Sequence, residues 1–173
     1  MLYDFNGRAP QVGSETYVSE TALVIGDVKI GDNCYIGHSA ILRGDHGSIE
    51  IGDGTAVEEG VIIHAPPYGT CQIGKRVTLG HGAIIHSLSI GDFATIGMGA
   101  IISVEAHIGE ESIVAEGSIV KVGQRVPNKV VVAGNPAKVV REVSQRDEFG
   151  KVGKQAYIEL AKEYLSQGMR KIN

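Results

Sequence analysis

An aliphatic residue recurs every six positions along most of this chain, with small or polar residues filling the intervals. From Val12 the series runs through Val18, Val24, Ile30, Ile36 and Leu42, steps nine residues to Ile51, and continues through Val57 and Ile63. A ten-residue step leads to Ile73, Leu79 and Ile85, and a five-residue step to Ile90, Ile96, Ile102, Ile108, Val114 and Val120. Four places after each aliphatic the residue is small or β-branched almost throughout, as at Cys34, Ala40, Thr55, Ala83, Ala94, Ala100 and Ser112. Period six fits neither an α-helix nor an alternating strand; it is one short strand plus one corner. Three such units make a triangular coil of about eighteen residues, and stacked coils pair as parallel strands about 4.8 Å apart. Both tracks are therefore expected to face inward. Glycine commonly follows the aliphatic, at Gly31, Gly37, Gly52, Gly74, Gly80, Gly91, Gly97 and Gly109, where a corner could use positive φ. Each irregular step follows the third unit of a coil, after Leu42, Ile63 and Ile85, so insertions collect at one corner.

From about residue 127 the hexads stop, and Pro127, Gly134, Asn135 and Pro136 read as an exit loop. From about Asp147 to Met169 the chain is polar and helix-prone, with Tyr157, Ile158, Leu160, Ala161, Tyr164 and Leu165 at helical spacing. The expected organisation is a prism over 1–133, then an exit loop and a helix over 134–173 that covers one side of it. The charged run from Arg141 to Lys154 reads as a solvated helix start.

Composition sharpens this picture. Glycine is 24 of 173 residues and tryptophan is absent, which suits tight repeated turns better than a core of large residues. A net charge of −4 leaves no basic excess for nucleic acid, so a small dissolved ligand is expected. No apolar run approaches the ~18 residues of a membrane span, and Met1-Leu2-Tyr3-Asp4-Phe5 lacks signal-peptide character, so a cytoplasmic location is expected. Cys34 and Cys71 make no disulfide framework; Cys34 occupies a small-residue core slot, and Cys71, in the stretch from Ala65 to Gln72, is expected at the surface.

The [LIV]-G-x-x-[small]-x repeat resembles the hexapeptide-repeat family. That resemblance implies a mainly β fold, a left-handed parallel β-helix with a C-terminal α-helix, usually assembled as a trimer. Gly134-Asn135-Pro136-Ala137-Lys138 is similar to a terminal motif in several branches of that family. Many acyltransferases share the fold, so function must come from side chains.

Arg43, His64 and His86 each lie one residue after a third-unit aliphatic and should stack on three successive coils at the corner with the insertions. His64 and His86 then lie within reach of one ion. His81 follows Leu79 by two and starts from the second face, so within one chain it should point away. The order Arg43-Gly44-Asp45, His64, His81-x4-His86 resembles the gamma-class carbonic anhydrases. The resemblance implies a homotrimer in which His81 of one subunit joins His64 and His86 of the next around Zn2+, or Fe2+ or Co2+. Three neutral imidazoles and an open position suit an ion that binds and acidifies water, here for hydration of CO2 to bicarbonate. Arg43 and Asp45 read as an ion pair that orients the site at the subunit interface. His38, His46 and His107 read as surface residues. Where the family pattern carries Asn and Gln, this chain has Ala56 and Glu58. A carboxylate at Glu58 would oppose ionisation of the bound water, yet could accept its proton. Tyr157 resembles a helix tyrosine near the site in some relatives. The alternatives are a CoA-dependent acyltransferase or thioesterase with a single catalytic histidine, or a structural or assembly homologue with a vestigial site.

Overall fold

A computed structural model describes residues 1–147, 149–170 and 172. The hexads wind into a parallel β-solenoid. On the first face Val12, Ile30, Ile51, Ile73, Ile90, Ile108 and Val126 stand in register on adjacent parallel rungs. The second face stacks Val18, Ile36, Val57, Leu79, Ile96, Val114 and Val132. The third stacks Val24, Leu42, Ile63, Ile85, Ile102 and Val120. All are buried except Val12 and Val18 in the end coil. Each fully buried aliphatic side chain contributes roughly 1.5–3 kcal/mol, so the ladders alone account for a stable core. The small-residue track is buried with them. At the corner between the third and first faces the strands Leu23–Ile30 and Ile41–Ile51 run on without a break. They join two faces into one twelve-stranded sheet, while the second face forms a separate sheet of eight strands.

The glycines after the aliphatics have a different purpose from the one their position suggests. None of them has positive φ. A Cβ on Gly97 would lie 2.5 Å from the Glu116 nitrogen, and one on Gly31 would lie 2.8 Å from the Asp53 nitrogen. These glycines let the next coil stack closely. The left-handed residue falls three places after the aliphatic, and it is often not glycine, as at Asn33, Arg76 and Glu111.

Three further expectations are corrected. Cys71 is fully buried, because it lies two residues before Ile73 on the strand Thr70–Ile73 and so points the same way, beside Ile49. Burial pushes its thiol up to about 11. Arg141 is no helix start: it belongs to the strand Lys138–Glu142, antiparallel to Val130–Ala133, and its guanidinium grips Asp147 through two contacts of 2.7 and 2.8 Å. The repeat also persists past residue 127, since Val131 and Val132 add a last parallel rung beside Ile113 and Val114.

The outward positions of the three faces differ in chemistry. The first is polar: Gln11, Lys29, Glu50, Gln72, Ser89, His107 and Arg125. The second carries Tyr17, Tyr35, Ala56, Thr78 and Thr95 and is covered by the helix α1, Phe149–Gln167. Ala161 is fully buried against Tyr35 and Ala56, with Tyr157, Leu160 and Tyr164 alongside, whereas Leu165 is exposed. The helix closes on Gly168, left-handed at φ 68°, whose N–H returns to the Tyr164 carbonyl. The third face presents Leu23, Ile41, Ile62, Ile84, Ile101 and Ile119, an aliphatic column with Ile62 39% and Ile84 42% exposed.

Lys154, expected in solvent, is buried where α1 meets the second face. Its Nζ donates to the Ala94 carbonyl at 2.8 Å and to the Thr95 and Thr78 hydroxyls at 2.9 and 3.2 Å. Burial pushes its ammonium down to about 8, although nearby Glu58 pulls the other way. Released from the fold it titrates near its ordinary ~10.4, so between those values the unfolded chain holds more protons and stability rises with pH. Thermal midpoints measured from pH 8 to 10 should rise in the parent protein, and Lys154→Met should flatten that rise.

Candidate metal centre

Two clusters flank the aliphatic third face, one at each of its corners. At the corner toward the first face, Arg43 pairs with His64 across adjacent rungs, and His64 stacks on His86 with ring centroids 4.7 Å apart and planes 12° from parallel. Nη1 of Arg43 lies 3.3 Å from Asp45 Oδ2, and Asp45 Oδ1 lies 3.7 Å from His64 Nε2. Burial works against the Asp45 anion, but the His46 N–H and Arg43 hold its carboxyl below the usual range. Burial, with Arg43 and His86 beside it, lowers the pKa of His64. The Nε2 of His86 is buried and has no hydrogen-bond partner. A buried imidazole nitrogen without a partner is costly, and it fits the donor an ion requires.

At the corner toward the second face stands His81, its side chain 47% exposed, with Nδ1 2.8 Å from Glu59 Oε2 and Nε2 3.1 Å from Glu58 Oε2. Glu58 is buried and also accepts the His81 backbone N–H at 3.0 Å. Tyr157 comes down from α1 with its ring 5.2 Å from Tyr35, and burial together with the neighbouring Glu58 raises its pKa. The structure thus brings Arg43, Asp45, His64 and His86 together, and separately Glu58, His81 and Tyr157. Among the described residues of one chain, no group of three or more His, Cys, Asp or Glu could hold an ion.

Of the histidines read as surface, His46 is exposed, while His38 and His107 are half-buried. His107 Nδ1 is 2.7 Å from the Ser89 hydroxyl. His38 sits edge-on to Tyr164 with Nδ1 2.5 Å from the Ser19 hydroxyl, so it helps to seat α1. Sequence reasoning missed Glu59, Tyr35 and Lys154. For Glu59 the signal was spacing: Glu20, His38, Glu59 and His81 each stand two residues after a second-face aliphatic.

Residues 27–65 and 71–103 match the family model described as "Hexapeptide repeat of succinyl-transferase". The carnitine operon protein CaiE of Escherichia coli (strain K12) is 42% identical over 142 residues, which is 82% of this chain and 72% of that protein. The chain belongs to the hexapeptide-repeat family. Its CaiE homologues place it in the gamma carbonic anhydrase-like branch, as the histidine order implies. Among solved structures, a hexapeptide transferase family protein from Anaplasma phagocytophilum superposes with TM-score 0.90 and 35% identity, covering 95% of this chain and 98% of its own. A putative acetyltransferase from Bacillus cereus gives 0.93 and 31%, covering 96% and 98%. No helix among the described residues is long and apolar enough to cross a membrane.

Proposed function

We propose that this hexapeptide-repeat protein is a metal-dependent enzyme of the gamma carbonic anhydrase type that interconverts CO2 and bicarbonate as a homotrimer. The observation that carries the reading is the stacked His64 and His86 pair with the buried, unpartnered Nε2 of His86. His64, His86 and His81 of a neighbouring copy would hold Zn2+, or Fe2+ or Co2+ in its place. The ion would supply Lewis acidity, making water a nucleophile toward CO2 near neutral pH.

The chemistry of the faces supports a three-fold arrangement. A rotation axis parallel to the solenoid keeps each coil level with itself, so packing third faces sets the second corner of one copy, which follows its second face and carries His81, against the third corner of the next, which follows its third face and carries His86. His81 then meets His86, and Glu116 meets Lys121, residues of equal coil height. Aliphatic side chains at Ile62 and Ile84 are removed from water by such packing and provide an apolar wall suited to an uncharged gas. Arg43 holds Asp45, and Asp45 steadies His64. Glu58 and Tyr157 enter the site with the neighbour's His81, as a carboxylate proton acceptor and the phenol that braces it.

A second reading, acyl transfer from CoA, is favoured by the names of the two structural neighbours. The deciding experiment is metal content and stopped-flow CO2 hydration on anaerobically purified protein, with acetyl-CoA turnover measured in parallel. About one ion per chain and a rate abolished by chelation are expected. Acetyl-CoA consumption by metal-free protein would replace this reading with the second, and tight metal without turnover of either substrate would make the site vestigial.

A further inference from the structure

We infer that Glu59 is a positioning residue that fixes the tautomer and direction of His81, presenting Nε2 as the coordinating atom, with Tyr35 as the anchor of Glu59. The inference rests on the metal site proposed above and extends it to a part of the chain that carries no ligand.

The geometry is a three-membered chain of contacts running from the core to the surface. Tyr35 is 2% exposed and clamped between Tyr17, Tyr157 and Tyr164, with ring centroids 5.6, 5.2 and 6.2 Å away. Its hydroxyl donates to Glu59 Oε1 at 2.6 Å, and Glu59 Oε2 lies 2.8 Å from Nδ1 of His81. Both carboxylate oxygens are therefore engaged, one by a rigid donor and the other by the imidazole. As a metal ligand the imidazole must be neutral; it then carries one N–H and can serve only one of the two carboxylates that face it. Glu58 already accepts the His81 backbone N–H at 3.0 Å, and of the two carboxylates Glu59 lies nearer the ring, 2.8 Å from Nδ1 against 3.1 Å between Glu58 and Nε2. The proton therefore belongs on Nδ1, and the lone pair of Nε2 points toward Glu58. Two electron-rich groups 3.1 Å apart at a half-exposed corner form an arrangement that a cation relieves. Hydrogen bonding of the non-coordinating nitrogen to a carboxylate fixes a ligand's tautomer and orientation, and losing such a partner typically costs about 10–100-fold in metal affinity. Because Tyr35 is held by α1, the C-terminal helix becomes part of the site's support although it reaches the second face only.

The test uses the full chain and Zn2+ alone. Affinity is measured by competition with a chromophoric chelator, and the His81 tautomer by 15N-detected imidazole correlations in the metal-free protein at a pH raised until the ring is neutral. Metal-free protein should show the Nδ1–H form. Glu59→Ala should weaken Zn2+ about 10–100-fold and move the ring toward the Nε2–H form, with the circular dichroism melt unchanged. Glu59→Gln keeps a carbonyl acceptor and should recover most of both readouts, which a purely structural role would not predict. Tyr35→Phe should give an intermediate loss. Wild-type zinc affinity in Glu59→Ala, or an Nε2–H tautomer in the metal-free parent, overturns the inference. If the parent binds no zinc, the metal site itself fails, and the tautomer measurement still decides whether Glu59 directs the ring.

Discussion

His81→Ala is expected to empty the metal site while leaving the solenoid folded. One ligand of three disappears, and the two that remain, His64 and His86, stack on adjacent rungs of one chain. Two imidazoles on a single wall cannot complete the tetrahedral set a catalytic divalent ion favours, so content should fall from about one ion per chain to near zero. The fold does not depend on His81, whose half-exposed ring meets Glu58 and Glu59 at a corner. Glu58 keeps the backbone N–H of residue 81 and its place against Tyr157, so little buried charge is stranded. Metal analysis and a thermal melt on the same preparation check both halves. A cooperative loss of structure on chelation, or in His81→Ala, would mean that the ion is a structural staple and would end the catalytic reading.

Gly97→Ala should be among the most damaging single-methyl changes available in this chain. The added Cβ would meet the Glu116 nitrogen at 2.5 Å and the Ala115 carbonyl carbon at 2.8 Å, backbone atoms of the next coil that cannot rotate aside. Relief requires prying two rungs apart, which breaks the ladder bond from the Gly97 N–H to the Val114 carbonyl. Overpacking of this kind costs typically ~1–3 kcal/mol and occasionally more. At about 3 kcal/mol the thermal midpoint would drop by roughly 6–12 °C. Gly117→Ala provides the contrast. That glycine is left-handed at φ 64° with nothing within 4 Å of the new Cβ, so only the backbone preference of about 1–2 kcal/mol is lost. Denaturant titrations of the pair should rank Gly97→Ala as the less stable, and the reverse order would mean that corner conformation, rather than stacking distance, limits the repeat.

Much of the architecture is legible in the sequence because a solenoid repeats its contacts. An aliphatic at Ile63 and another at Ile85 must do the same job one coil apart, so the side chains that follow them, His64 and His86, stack as their numbering implies. Parity would have revealed Cys71 as well, since it stands to Ile73 as Ile49 stands to Ile51. The loop around it hid the strand. At the second corner, spacing places Glu59 and His81 in one column, but which carboxylate takes which imidazole nitrogen depends on rotamers that the tyrosine cluster imposes. Lys154 escaped for a similar reason: in a charged run it looks solvated, and only the docking of α1 puts its Nζ against the Ala94 carbonyl. The proposed site is less legible still, because the two clusters it would join lie on opposite sides of one face.

The reversal of direction at Lys138–Glu142 bears on how this protein avoids becoming a fibre. A stack of parallel rungs has no natural end: its last rung offers unpaired N–H and C=O groups to any strand of matching twist. Here the chain folds back on itself, and the antiparallel pairing of Val130–Ala133 with Lys138–Glu142 occupies that edge on the second face. Gly134 and Ala137 do the same for the third face by taking both polar groups of Ile119. The first face finishes in the two residues Arg125–Val126, followed at once by Pro127. The covering strand is itself fully exposed and carries Lys138, Arg141 and Glu142, charges that discourage a further layer. Growth along the coil axis is thus terminated chemically, and the apolar side is left as the direction in which copies can associate.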